Sequence, residues 1–357
     1  MHRMRTVIAF VVIACAAASA VAMAAGDGAP LANVRVLRTS VPGYAEALSP
    51  DGRLLAFAIF KRHRYDIALL DLASNRLRRL PGSSLTDERR IGDGNYLGVA
   101  GFSPDSKLLL ARSGQSLVTV DAQSGRRQVV ARRVPWGPAG WLDDGRVAFI
   151  DGQRRLVFAA RGGRLERTRF RAARLVGSVP SWSPNGRYVL YARACTVWRL
   201  DLRTGNRRRI AGRTGDGIGA GFSPGPWSPN GRYFLLRASS WDDRCSSFDD
   251  FWARRSIRSA DGSQIGSFRF PGGTAWSTDS RSVLGFPYIT GTEVAKFQPL
   301  EVFDLAARKQ VELLRNRLAG GAFLGPGGWL VYGRYVTATN SDGRIRLYLA
   351  QLSPRWR

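Results

Sequence analysis

The sequence predicts an all-β fold, a seven-bladed β-propeller of four-stranded antiparallel blades whose last blade is closed by the N-terminal strand. Three observations carry this. A tight-turn motif returns seven times, the returns are spaced as single blades would be, and each end of the chain lacks what the other supplies.

The motif is plainest in Trp182-Ser183-Pro184-Asn185-Gly186-Arg187-Tyr188-Val189-Leu190 and again in Trp227-Ser228-Pro229-Asn230-Gly231-Arg232-Tyr233-Phe234-Leu235. Ser49-Pro50-Asp51-Gly52-Arg53, Ser103-Pro104-Asp105-Ser106-Lys107 and Leu142-Asp143-Asp144-Gly145-Arg146 precede these copies. Ser277-Thr278-Asp279-Ser280-Arg281 and Leu324-Gly325-Pro326-Gly327-Gly328 follow them. The copies start at 49, 103, 142, 183, 228, 277 and 324, so successive starts lie 54, 39, 41, 45, 49 and 47 residues apart. Propeller blades repeat every ~40 to 50 residues, loop insertions making up the spread.

Each turn position has a conformational task. Pro presets φ near roughly −65°, Asp or Asn tolerates the next position, and Gly takes the positive φ that returns the chain to a partner strand. A short loop of this kind holds two strands antiparallel and in register. A large apolar residue stands before the turn in most copies: Phe102, Trp141, Trp182, Trp227, Trp276 and Phe323. Identical placement in successive units points to wedging between blades, against a sugar-stacking role. Third and fourth strands follow, as in Ile67 to Leu72 with Arg76 to Leu80, Leu117 to Asp121 with Arg127 to Val130, and Val197 to Leu202 with Arg207 to Ile210. The recurring Asp71, Asp121, Asp201 and Asp304 at the third strand's end read as structural residues.

The last unit ends at Arg357 without an outer strand, whereas Asn33-Val34-Arg35-Val36-Leu37-Arg38 is a strand with no unit of its own. Pairing residues 33 to 40 with the last sheet leaves no open sheet at the junction. The expected layout is residues 1–25 as a signal peptide, 26–32 as a short linker and 33–353 as the propeller.

The leader reading rests on order. Met1-His2-Arg3-Met4-Arg5 is basic, Thr6 to Ala22 is apolar, and small residues lead to cleavage after Ala24 or Ala25. An uncleaved membrane anchor and a lipid anchor at Cys15 are the alternatives. Export makes the protein periplasmic, associated with the cell envelope or secreted, and Cys195 and Cys245 become a candidate disulfide in an oxidising compartment. After cleavage no membrane span is left.

Hydrophobic residues make up 44% and charged residues 23%, a balance that excludes wholesale disorder. The formal charge of +27 is carried mainly by arginine and attracts polyanions. No nucleic-acid motif is present, so the partner expected is a protein or an anionic envelope polymer, and a monomer is expected. With two histidines in the chain, His2 inside the leader, multi-histidine metal sites are excluded and one base is left for any serine or cysteine triad. Neither a metal nor a cofactor is expected, and no catalytic residue is identified.

The a-b and c-d turns are short, whereas the b-c and d-a loops hold the insertions, which makes that end of the scaffold the candidate binding face. Its candidate residues are Arg62, His63 and Arg64 in blade 1, Asp93 and Asp216 in two d-a loops, and Trp241, Asp242, Asp243, Arg244, Phe248, Asp249 and Asp250 in the blade 5 insertion. Those four blade 5 aspartates lack the spacing of a calcium loop, and pairing with arginines is the expected use.

The turn Ser-Pro-Asp-Gly-Arg, a strand and then Leu-x-Asp-Leu-x-x-Gly resemble the TolB-like propeller repeat, a relative in shape of the tryptophan-aspartate repeat propellers. The resemblance covers nearly all of the chain after the leader and implies protein contact in the cell envelope. TolB proper carries a further N-terminal α/β domain, for which residues 26 to 48 leave no room, so its Tol-Pal role is not carried over. The expected function is an exported non-catalytic propeller that binds a protein or anionic envelope partner through its b-c and d-a loops. The alternative is a secreted carbohydrate-active hydrolase or lyase using carboxylates at the channel mouth.

Overall fold

A computed structural model describes residues 31–41, 44–61, 64–81, 85–86, 99–135, 138–171, 180–193, 196–212, 221–239, 254–269, 273–286, 299–314, 318–335 and 345–353. Seven antiparallel sheets follow one another, each with four strands, a to d, in consecutive order. Blade 1 is Tyr44–Leu48, Leu54–Lys61, Arg64–Asp71 and Arg76–Arg79, with the short strand Leu85–Thr86 added against its c strand. Blade 2 is Val99–Phe102, Leu108–Ser113, Ser116–Asp121 and Arg127–Ala131, and blade 3 is Ala139–Trp141, Val147–Ile150, Arg155–Ala159 and Leu165–Arg171. Blade 4 is Ser181–Trp182, Tyr188–Arg193, Thr196–Asp201 and Arg207–Ala211; blade 5 is Gly221–Trp227, Tyr233–Ser239, Arg254–Ser259 and Gln264–Arg269. Blade 6 is Gly273–Trp276, Ser282–Phe286, Leu300–Asp304 and Lys309–Leu314. Blade 7 takes its a, b and c strands from Leu318–Leu324, Trp329–Tyr335 and Ile345–Leu352 and its d strand from Leu31–Val41. The a strands of neighbouring blades meet around the ring, with Trp182 of blade 4 against Gly140 of blade 3.

The closing strand is longer than the expected 33 to 40, because Leu31 and Ala32, expected in the linker, already pair with Leu352 and Gln351. Its ladder slips by one residue after Ala32, where Asn33 takes φ 51° and donates through Nδ2 to Gln351 Oε1 at 3.2 Å. One extra residue reverses the face that the following residues present. Leu31 therefore enters the seam between blades 6 and 7, whereas Leu37 enters the seam between blades 7 and 1.

The core is divided among the seams. Each of the seven buried apolar clusters joins two neighbouring blades and together they run all the way round. The b strands read as continuous apolar runs because both of their faces look into a seam; Phe57, Phe149 and Phe234 are among the largest fully buried side chains. The aromatics before the turns wedge as expected. Trp141 donates its indole N–H to Gly101 O in blade 2 at 3.2 Å, and Trp276 donates to Pro226 O in blade 5 at 3.1 Å. Trp227 is buried against Tyr188 of blade 4 and Phe234 of its own blade.

The turn motif is a hydrogen-bonded unit. In blade 4 the Ser183 hydroxyl, fully buried, donates to Asn185 Oδ1 at 2.7 Å and accepts the Tyr188 N–H at 2.9 Å; Asn185 Oδ1 also accepts the Arg187 N–H at 3.0 Å. Ser49, Ser103, Ser228 and Ser277 repeat this arrangement with Asp51, Asp105, Asn230 and Asp279. A buried backbone N–H left without such a partner costs about 1–3 kcal/mol. The positive φ falls on Gly52, Gly145, Gly186, Gly231 and Gly327 but on serine at Ser106 and Ser280. Those two serines use their hydroxyls across the seam: Ser106 Oγ accepts the Asp51 N–H at 3.4 Å and Ser280 Oγ accepts the Asn230 N–H at 3.0 Å.

The a strand of blade 5, Gly221–Trp227, holds two prolines, Pro224 and Pro226. Pro224 is accommodated because an innermost strand has a partner on one side only, and the ladder slips between Pro224 and Trp227.

Candidate functional site

The two ends of the ring handle charge differently. On the a-b and c-d end, carboxylates sit inside turns. Asp71 accepts the Ser74 N–H at 2.8 Å, the Ser74 hydroxyl at 2.9 Å and the Ala73 N–H at 3.1 Å, and these bonds, that N–H of Ser74 first, hold its carboxyl below the usual range. Asp121 does the same with Ser124 and Gln123. At Asp105 partial burial works upward, but the Ser103 hydroxyl, Arg161 and the Lys107 N–H outweigh it and bring the pKa down to about 2. At Asp201 burial likewise opposes, and is overcome by Arg187, whose Nη2 lies 2.8 Å from Oδ2. Groups like these are fixed anions suited to capping turns. Asp143 goes the other way: partial burial, then the neighbouring Asp144, raise its pKa.

Arginines reach from one blade to the next turn's carbonyls on this same end. Arg35 of the closing strand donates to Leu72 O at 3.3 Å, Arg78 donates to Gln123 O at 2.9 Å and to Ala122 O, and Arg199 donates to Ala260 O. Part of the arginine excess is therefore structural.

On the b-c and d-a end, Arg64 opens the c strand of blade 1 and is exposed. Arg62, His63, Asp93, Asp216, Trp241, Asp242, Asp243, Arg244, Phe248, Asp249, Asp250, Cys195 and Cys245 lie outside the described residues. What the described residues add is a set of arginines that sequence reading did not single out. Arg112 of blade 2 is 5% exposed and donates to Val134 O at 3.4 Å and Pro135 O at 3.2 Å. Arg237 and Arg255 stand directly opposite each other in blade 5, as do Arg334 and Arg346 in blade 7. Strand alternation places the first pair on the side of Leu235 and Ile257, which packs on blade 6, and the second pair on the side of Tyr332, which also packs on blade 6. Burial and the Arg237 charge lower the Arg255 pKa to about 10. Arg334 lies over Tyr332 and Tyr348, 5.8 Å and 5.5 Å from the ring centres, and those rings stack at 5.2 Å. Like charges directly opposite in a sheet destabilise it, so Arg334 and Arg346 favour an anion between them.

Hollows open between the described residues. One of about 220 Å³ lies between blades 2 and 3 beside Lys107, Thr119, Trp141 and Arg161. Another of about 520 Å³ is bordered by Ser113, Ser116 and Arg127 in blade 2, and a third of about 310 Å³ by Tyr191, Arg193, Thr196, Trp198 and Arg207 in blade 4. No group of three or more metal-ligating side chains occurs among the described residues.

No family model matches the chain, and no curated protein matches it by sequence. Solved structures match it in fold. An oligogalacturonate lyase in complex with manganese aligns at a TM-score of 0.62 and 18% identity over 91% of this chain and 94% of that one. An oligogalacturonate lyase from Vibrio parahaemolyticus aligns at 0.61 and 14% over 91% and 94%. A putative TolB from Agrobacterium tumefaciens aligns at 0.43 and 17% over 82% and 99%. The chain is thus similar in fold to solved propellers, and its described residues form a propeller of seven blades. No described helix is long and apolar enough to cross a membrane.

Proposed function

We propose that this protein is an exported, non-catalytic propeller that binds a protein or anionic envelope polymer through its b-c and d-a face. The observation that supports this most is a contrast between the channel wall and that face. Among the described residues of the seven innermost strands there is one carboxylate, Glu46, whereas the described b-c ends carry Arg64, exposed, and the half-buried pair Arg334 and Arg346. Retaining or inverting sugar chemistry needs two carboxylates about 5 to 10 Å apart with one pKa raised. Exposed arginines at that end attract an anionic partner. Export follows from the leader at residues 1–25, and with it the Cys195–Cys245 bridge between blade 4 and the blade 5 insertion.

The test is affinity capture from the native envelope with the intact protein and with residues 240–253 replaced by a short Gly-Ser turn. Loss of the captured partner is expected; equal recovery overturns the face assignment. The second reading, a carbohydrate-active hydrolase or lyase, has one observation in its favour, the raised pKa of Asp143. Depolymerisation of an acidic glycan that disappears in Asp143→Asn would establish it; binding unchanged by that substitution is expected here.

A further inference from the structure

The outer strands divide the rim into two arcs. Those of blades 1 to 4 carry ten arginines against one glutamate, Glu166. Those of blades 5 to 7, of similar total length, carry three arginines and a lysine against one glutamate, Glu312. Charge on an outer strand is expected, because it keeps an open edge from pairing with other chains. That need is met equally by mixed signs, as in Lys309 and Glu312 of blade 6. It does not explain why the excess of positive charge is nine (ten less one) on the first arc and three (four less one) on the second, most of it on blades 1, 3 and 4.

Several of these arginines have structural work, Arg78 on the blade 2 turn and Arg167 3.6 Å from Asp151. Six others, Arg76, Arg79, Arg169, Arg171, Arg207 and Arg209, are exposed and have no ion-pair partner among the described residues. Fixed by the ladders of three sheets, they form a cationic track along the outside of the ring. One of them borders a cavity that does more than attract charge. In the hollow of about 310 Å³ on blade 4, Tyr191 and Trp198 face each other across the b and c strands, with Arg193 and Arg207 beside them. Two aromatic faces with two guanidinium groups suit a ring that is flat, hydroxylated and carboxylated, the rings providing contact area and the arginines bidentate acceptor recognition.

We infer that the rim of blades 1 to 4 binds a linear acidic polysaccharide, with the Tyr191–Trp198 hollow as a subsite for one of its sugar rings. A flexible chain follows a convex arc over four blades, whereas a flat anionic bilayer touches such a surface along a line. Arg193 and Thr196 of the hollow flank the b-c loop of blade 4, so the track reaches the b-c and d-a face there, but it runs along outer strands that the reading of that face does not use.

Binding of alginate of graded length to the full protein tests the inference, with inorganic polyphosphate, anionic phosphatidylserine vesicles and neutral dextran as comparisons. Alginate affinity is expected to rise with chain length until the arc is filled and to fall steeply with salt. Replacing the six arginines by glutamine is expected to weaken it by more than about a hundredfold, at roughly tenfold or less per arginine, and to flatten the salt dependence. Trp198→Ala is expected to weaken alginate binding while leaving polyphosphate unchanged, and dextran is expected not to bind. Retained alginate affinity in the six-arginine variant, with its melting curve unchanged, overturns the inference, as does a preference for vesicles over alginate. Loss of alginate binding on replacing residues 240–253, with the rim intact, moves the site to the other face and overturns it too.

Discussion

Blades 4 and 7 solve one problem in opposite ways. Blade 4 is contiguous, from Ser181 to Ala211, and its turn holds itself together through the Ser183 hydroxyl and Asn185. Blade 7 has no such turn. Leu324-Gly325-Pro326-Gly327-Gly328 offers no hydroxyl, and a short 3-10 turn with Gly327 at φ 69° carries the chain round instead. What blade 7 has is the longest strand among the described residues, Leu31–Val41, drawn from the far end of the chain, with Leu31 buried in one seam and Leu37 in another. Local hydrogen bonding secures the one and long-range burial the other.

The contrast can be broken in order of effect. Deleting residues 31–41 removes both seam leucines and bares the c strand of blade 7; loss of cooperative unfolding is the expected outcome, read by calorimetry. The milder Leu31→Ala and Leu37→Ala are each expected to cost about 2–5 kcal/mol, since each empties a packed seam. In blade 4, Ser183→Ala should cost about 1–3 kcal/mol, measured by urea denaturation, by leaving the Tyr188 N–H without its acceptor. A cost at Ser183 equal to that of the closing strand would mean that the ring is not specially dependent on its clasp.

Acid sharpens the comparison further. The Asp105 carboxyl of the blade 2 turn is held at about 2 against an ordinary 3.8. Its stabilisation is complete above the ordinary value and drains away as pH falls toward the lower one, because the folded state prefers the ionised form. The melting temperature should therefore drop between pH 4 and 2, and Asp105→Asn should flatten that fall. Smallest of all is Arg187→Ala, expected to leave the melting temperature nearly unchanged, since the arginine side chain of its pair with Asp201 is 44% exposed and screened by solvent.

Much of this architecture was legible because propeller turns are local chemistry. Pro184 and Gly186 state their own dihedral preferences, and seven such statements at blade spacing leave few alternatives. Closure was legible for a different reason, an unmatched strand at each end. Less visible was anything decided by a neighbour in space. The two-residue strand Leu85–Thr86 has too little sequence to announce itself, and Pro224 spoke for a loop where an edge position tolerates strand. The bulge at Asn33 shows only once Gln351 stands beside it. Of the twelve residues named for the loop face, Arg64 is the one within the described residues. The opposed arginine pairs went unnoticed, since register across two strands decides that Arg237 meets Arg255 and Arg334 meets Arg346.

The closing strand also sets an order in time. Leu31 is synthesised long before Leu352, its partner, so of the described strands the one made first is among the last to find its place. Until then the chain carries an open edge at the seventh sheet and a solitary extended segment at its front, both ready templates for pairing with another molecule. Any chain that stops short of residue 345 never acquires the strand to which that segment belongs. A product cut short before that strand is thus marked by its own loose ends.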